Sequence, residues 1–151
     1  MLRGGSFKHL LAVAGIFGTL SFGTACAPAP PALCNPGSDA SAIFNAANSA
    51  RASYGLPPLS QSPQLVSLAQ QWSNWMAATG QLANGDFPTG YNAAGQNVLT
   101  GPANVSASTI VNTWMASPEH RANILSSSFS LSGVALSYAN CRVWVTEDFA
   151  G

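Results

Sequence analysis

Apolar residues recur at helical spacing soon after the first proline-rich stretch. Ile43, Phe44, Ala47, Ala50 and Tyr54 make one face of a helix that Ser38 or Asp39 can cap and Gly55 closes. Leu56-Pro57-Pro58-Leu59 is a rigid connection. Ser62-Pro63 starts a second helix, in which Leu65, Leu68, Ala69, Trp72, Trp75 and Met76 recur every three or four residues until Gly80. Residues 81–94 carry Gly, Asn, Asp and Pro and read as loop. Gln96 to Leu99 predicts a short strand, and Ser106 or Ser108 begins a third helix through Trp114 to Ala116. Ser117-Pro118 opens a short fourth helix, because a serine oxygen can cap the first amides and proline suits the first helical position. Val134 to Tyr138 and Val143 to Phe149 alternate as paired strands that turn at Ala139-Asn140. Helices on both sides of a small sheet, with no βαβ rhythm, predict a three-layer α+β domain.

The beginning of the chain has a different pattern. Arg3 and Lys8 precede an apolar run from Leu10 to Phe22, and Gly23-Thr24-Ala25 places small residues ahead of Cys26. This is the pattern of a secretory signal over residues 1–25, its apolar run short of the roughly 20 residues that span a bilayer. A cysteine directly after the cleavage site resembles a bacterial lipoprotein box, which makes Cys26 a candidate for lipidation. Residues 26–37 are rich in Ala and Pro and read as an extended tether, leaving 38–151 as one domain.

Three cysteines are present, an odd number for an exported protein. If Cys26 carries lipid, Cys34 and Cys141 remain, either bridged or as two free thiols; an oxidising compartment favours the bridge. Without Arg3 and Lys8 the chain has three basic residues against five acidic, a balance near −2. No basic patch is available to neutralise phosphates, so nucleic acid is excluded as a partner class. The spread of Trp, Leu, Ile and Val argues equally against disorder.

Asn45 to Arg51 with Gly55-Leu56-Pro57-Pro58-Leu59, Gly95-Gln96-Asn97-Val98, Trp114 to Leu125 and Val143 to Phe149 together resemble the CAP superfamily. This group comprises the cysteine-rich secretory, antigen 5 and pathogenesis-related-1 proteins, and the likeness is to its short bacterial branch. The resemblance implies an α-β-α sandwich with a small central antiparallel sheet and a cleft, in a secreted protein. The family's cleft commonly holds two histidines and one or two glutamates able to bind a divalent metal. Here the position of one histidine falls at Asn84 and that of a strand glutamate at Gln96, which leaves His120. Glu119 occupies a site where glycine is usual.

An amide carries no charge and is a poor ligand for a borderline metal. His120 therefore reads as a polar helix-start residue hydrogen-bonded to Gln96 or Asn84, or as a metal ligand aided by Glu119 or Asp86. A serine hydrolase would need Ser117 and His120 with an orienting carboxylate, and a serine that caps a helix has its oxygen engaged. Arg121 and Asp148 are available for a surface ion pair. Trp72, Trp75 and Trp114 could stack sugars or lipid chains, although tryptophan at helical spacing is more often core.

These readings converge on an exported, non-catalytic binding module at the cell envelope, its cleft offering His120, Gln96 and Asn84. The partner would be a small molecule, lipid, glycan or peptide, with membrane contact only through Cys26 and no cofactor. The alternative is a metal-dependent or serine-type hydrolase centred on His120 with Glu119 or Ser117.

Overall fold

The computed structural model describes residues 34–151. The expected signal segment, Cys26 and the expected tether as far as residue 33 lie outside the described residues.

Eight elements follow in the order α1 (Ala40–Ser53), β1 (Ser60–Gln61), α2 (Pro63–Thr79), β2 (Ala94–Pro102), α3 (Ala107–Ala116), α4 (Pro118–Ile124), β3 (Leu131–Ala139) and β4 (Arg142–Ala150). Short polar side chains fix three of the helix starts. Asp39 accepts from Ala42 N at 2.8 Å, Ser62 from Leu65 N at 3.4 Å and Ser106 from Thr109 N at 3.2 Å. Ser117 is the exception. It ends α3, its N–H donating to Trp114 O, and precedes Pro118 of α4, but its hydroxyl makes no capping bond. The expected serine cap is therefore absent, and Pro118, which has no N–H to satisfy, begins the helix instead.

The strands lie in the order β1-β3-β4-β2. β3 and β4 form a hairpin in which Ala139 faces Arg142, so the two-residue turn is Asn140-Cys141, one position later than expected. Both turn residues have positive φ, 52° and 57°, as a tight hairpin turn between right-twisted strands demands. β2 pairs antiparallel with β4 over all nine of its residues and so outruns the short strand expected at Gln96 to Leu99. β1, a two-residue strand, runs parallel to β3, so the sheet is mixed rather than purely antiparallel. The α+β class and three layers agree with expectation.

α2 packs alone on one face of the sheet, against β3 and β4; α1, α3 and α4 form the other layer. The larger core lies on that second side and includes Ile43, Ala47, Ile110, Trp114, Val145 and Phe149. Burying each of the aliphatic and phenylalanine side chains among them larger than alanine contributes about 1.5–3 kcal/mol. The α2 side has a smaller core of Met76, Val98 and Trp144. Here the backbones approach closely, and a Cβ on Gly133 would lie 2.2 Å from Val66 N. That contact selects which stripe of α2 is buried: Leu65, Ala69, Ser73 and Met76. Ser73 satisfies its hydroxyl at Ala135 O and Thr146 Oγ1. Leu68 and Trp75, expected on the buried face, are 36% and 38% exposed. Tyr54, expected on the buried face of α1, is likewise exposed.

Cys34 and Cys141 form a disulfide across a sequence separation of 107 residues. Gly37 N also donates to Ala103 O at 2.9 Å, so the last residues ahead of α1 are held against the β2 end of the sheet.

Candidate functional site

Alternation along two paired strands decides which polar side chains meet. Gln96 faces Asp148 across the β2–β4 ladder, and Asn97 faces Glu147. Neighbours in a strand point to opposite faces, so each pair belongs to a different layer.

On the α2 face, Gln96 Nε2 donates to Asp148 Oδ1 at 2.9 Å, and Gln96 Oε1 accepts from Gly85 N at 2.7 Å. The loop that carries Gly85 is tied to the helix as well, because Trp72 Nε1 donates to Ala83 O at 2.7 Å. A Cβ on Gly85 would stand 2.5 Å from the Trp72 ring, so only glycine lets the loop lie flat on that indole. Trp75 stacks on Trp72 with ring centroids 4.5 Å apart. These groups enclose a pocket of about 270 Å³, with Leu68 and Gln71 on its helix side, Asp86 at its exposed rim and Asp148 beneath. Asp148 is only 2% exposed. Burial pushes its carboxyl up to about 6, against the opposing pull of the Gln96 hydrogen bond.

On the opposite face, Asn97 Nδ2 donates to the His120 carbonyl at 3.0 Å. Asn123 Nδ2 donates to Gln96 O at 3.2 Å and Asn97 Oδ1 at 2.9 Å. α4 is thus clasped to β2 by two asparagines and two backbone carbonyls. The expected hydrogen bond from the His120 ring to Gln96 or Asn84 is not formed among the described residues; Gln96 has both ends of its amide engaged elsewhere. Glu147 is fully buried on this same face and receives Ser132 Oγ at 2.7 Å, while its Oε2 has no partner. Burial pushes Glu147 up to about 8, an effect that Ser132 and the Arg51 charge oppose and Asp148 reinforces.

The remaining sequence candidates stay apart from the pocket. Asn84 is exposed beside Gly85, Glu119 is exposed on α4, and Ser117 sits at the α3–α4 junction. Arg121 does not pair with Asp148: it donates to Tyr54 Oη at 2.9 Å and lies over that ring, whereas Asp148 is buried beneath α2. A larger cavity, about 560 Å³, opens between α1 and α3, but none of His120, Gln96 or Asn84 lines it. Among the described residues no group of three or more His, Cys, Asp or Glu gathers as a metal cradle. Nor do the residues present fit the metal constellation implied by the family likeness, because Gln96 is a neutral strut between loop and strand. The sequence offers Asp148 as a surface partner of Arg121 and not as a pocket floor, although Glu147-Asp148 in a strand covered on both sides must bury one acid on each face.

The model of the cysteine-rich secretory protein (CAP) family matches residues 44–149. Among solved structures the fold is similar to an extracellular protein containing an SCP domain from Bacillus anthracis. That similarity has a TM-score of 0.58 and 23% identity, covering 72% of this chain and 38% of that one. An outer surface protein from Borrelia burgdorferi is similar with a TM-score of 0.64 and 13% identity, over 72% of this chain and 88% of that one. A cysteine-rich secretory protein from Staphylococcus aureus gives 0.56 and 20%, over 74% and 38%. The matched part therefore spans well under half of the Bacillus and Staphylococcus proteins. No curated protein matches in sequence.

Proposed function

Because the chain belongs to the cysteine-rich secretory protein (CAP) family, we propose that it is an exported binding module of the cell envelope. It holds a small molecule in the pocket beneath Trp72 and Trp75 and performs no chemistry on it. One observation carries this reading: Gln96, at the position where the family likeness implies a metal-binding glutamate, has its side-chain carbonyl and amide nitrogen both bonded within the fold. A group so engaged stiffens a pocket floor and is a poor acid, base or ligand. The pocket mouth is open and aromatic, as ligand sites commonly are. Its two carboxylates and lack of a basic side chain disfavour phosphate-bearing partners. The apolar leader and the Cys34–Cys141 bridge support export. The hydrolase reading has no comparable support, since no hydrogen bond links Ser117, Glu119 and the His120 ring among the described residues.

Native mass spectrometry of the protein recovered from an exporting host tests this. The wild type should carry a small-molecule adduct that Trp75→Ala and Asp148→Asn lose while remaining folded. An esterase or peptidase activity abolished by Ser117→Ala or His120→Ala would sink it.

A further inference from the structure

The pocket has a chemical bias that follows from which of its polar atoms remain unpaired. Asp148 Oδ1 is held by Gln96. Among the described residues Oδ2 accepts no hydrogen bond, yet it is not among the sealed atoms without partners, and its residue lines the pocket. One carboxylate oxygen of an otherwise buried side chain therefore opens into the cavity. Among the described residues no cation answers it from any side. α2, packed above, carries no charged residue. The adjacent loop supplies Asp86, a second acid; β2 supplies the neutral Gln96. The cross-strand neighbour on β3 is Gly133, without a side chain. On β4 the next residue is Glu147, which points to the other layer, where Arg51 lies.

Beside this floor stands an aromatic wall. Trp72 is pinned by its bond to Ala83 and by the Gly85 backbone, and the exposed Trp75 stacks on it. An indole face attracts a cation through its quadrupole. Leu68 adds apolar surface for methyl or methylene groups, and about 270 Å³ is room for an ammonium head group with its substituents.

We infer that this pocket takes an organic cation, a quaternary or alkyl ammonium group held between the Trp72–Trp75 ledge and the open oxygen of Asp148. The inference rests on the reading of this pocket as the working site. A neutral sugar could stack on the same indoles, but it would leave the acid without a counter-ion. Because burial holds Asp148 at about 6, a cation must draw its proton off, and affinity should rise with pH through that range and level above it.

The test titrates disulfide-intact protein with choline and, separately, with 3,3-dimethyl-1-butanol, its neutral isostere. The readout is the indole N–H resonance of Trp75. Choline should shift that resonance saturably, and about tenfold more weakly at pH 5 than at pH 7, as a group titrating near 6 requires. Asp148→Asn, which keeps an acceptor for Gln96, and Trp75→Ala should each lose about tenfold in affinity, and the isostere should bind at least as weakly as choline does to Asp148→Asn. Equal binding of the isostere, no pH dependence, or the same shift produced by sodium chloride would overturn the cation assignment. So would the absence of any choline shift up to about 50 mM. The retained-adduct measurement decides separately whether the pocket is a binding site at all.

Discussion

Arg51 is a charged side chain with no solvent contact, and its guanidinium ties α1 to three separate segments. Nε donates to Pro57 O at 2.9 Å, Nη1 to Ile124 O and Ser126 O at 2.8 Å each, and Nη2 to Phe129 O at 3.4 Å. These bonds close the end of α4 and the loop into β3. Arg51→Ala should cost more than about 3 kcal/mol in urea unfolding, because several buried carbonyls lose their donor. Arg51→Lys should recover little of it, since an ammonium cannot reproduce the planar fork. A loss below about 1 kcal/mol for Arg51→Ala would show the carbonyls to be solvated in its absence. The family likeness takes in Arg51 as the last residue of its first stretch, but nothing in the sequence shows that it is buried; its role depends on loops that reach it only in the fold. The same holds for Leu68 and Trp75. Spacings of three and four residues around α2 fit two overlapping stripes, and the close approach at Gly133 selects the one that leaves Trp75 outside. The pocket wall was therefore legible as residues and illegible as a surface.

At the level of elements, local chemistry predicted a good deal. Asp39, Ser62 and Ser106 begin helices where expected, and Gly55 and Gly80 follow their ends with φ near +70°. Strand limits were less accessible, because β2 is long only through its pairing with β4, and β1 is a strand only because β3 lies beside it. The Asn140-Cys141 turn shows how a covalent requirement and a backbone requirement conflict. Cys141 holds the disulfide in a left-handed conformation that a branched or bulky residue resists and glycine adopts freely. Removing the bridge as Cys34→Ser with Cys141→Ser should lower stability by roughly 2–5 kcal/mol, the usual range for a native disulfide in a small secreted domain. Cys34→Ser with Cys141→Gly should lose about 1 kcal/mol less, because the turn strain is relieved. Thermal melts of the two variants check the ordering, and a less stable glycine variant would contradict it.

Across the whole molecule, two adjacent acids link stability to pH in a direction opposite to that of ordinary paired carboxylates. Glu147 sits at about 8 and Asp148 at about 6 when folded, both above their unfolded values of 4.5 and 3.8. The native state therefore holds protons that the unfolded chain has released, and stability falls as pH rises through this interval. Melting temperature should be highest near pH 4–5, decline toward pH 8 and then level off. Glu147→Gln, which keeps an acceptor for Ser132, should flatten the decline above pH 6 and leave the variant several degrees more stable than wild type at pH 8. A melting temperature that climbs from pH 5 to pH 8 would mean that both acids are ionised in the fold. The Cys34–Cys141 bond has a further consequence of a mechanical kind. Tension applied to the chain ahead of residue 34 meets a fork, one arm leading into α1 and the other, through sulfur, into the β3–β4 hairpin. The load can thus pass directly to the two interior strands of the sheet, and a leash on this domain pulls on its central layer without first peeling away a helix.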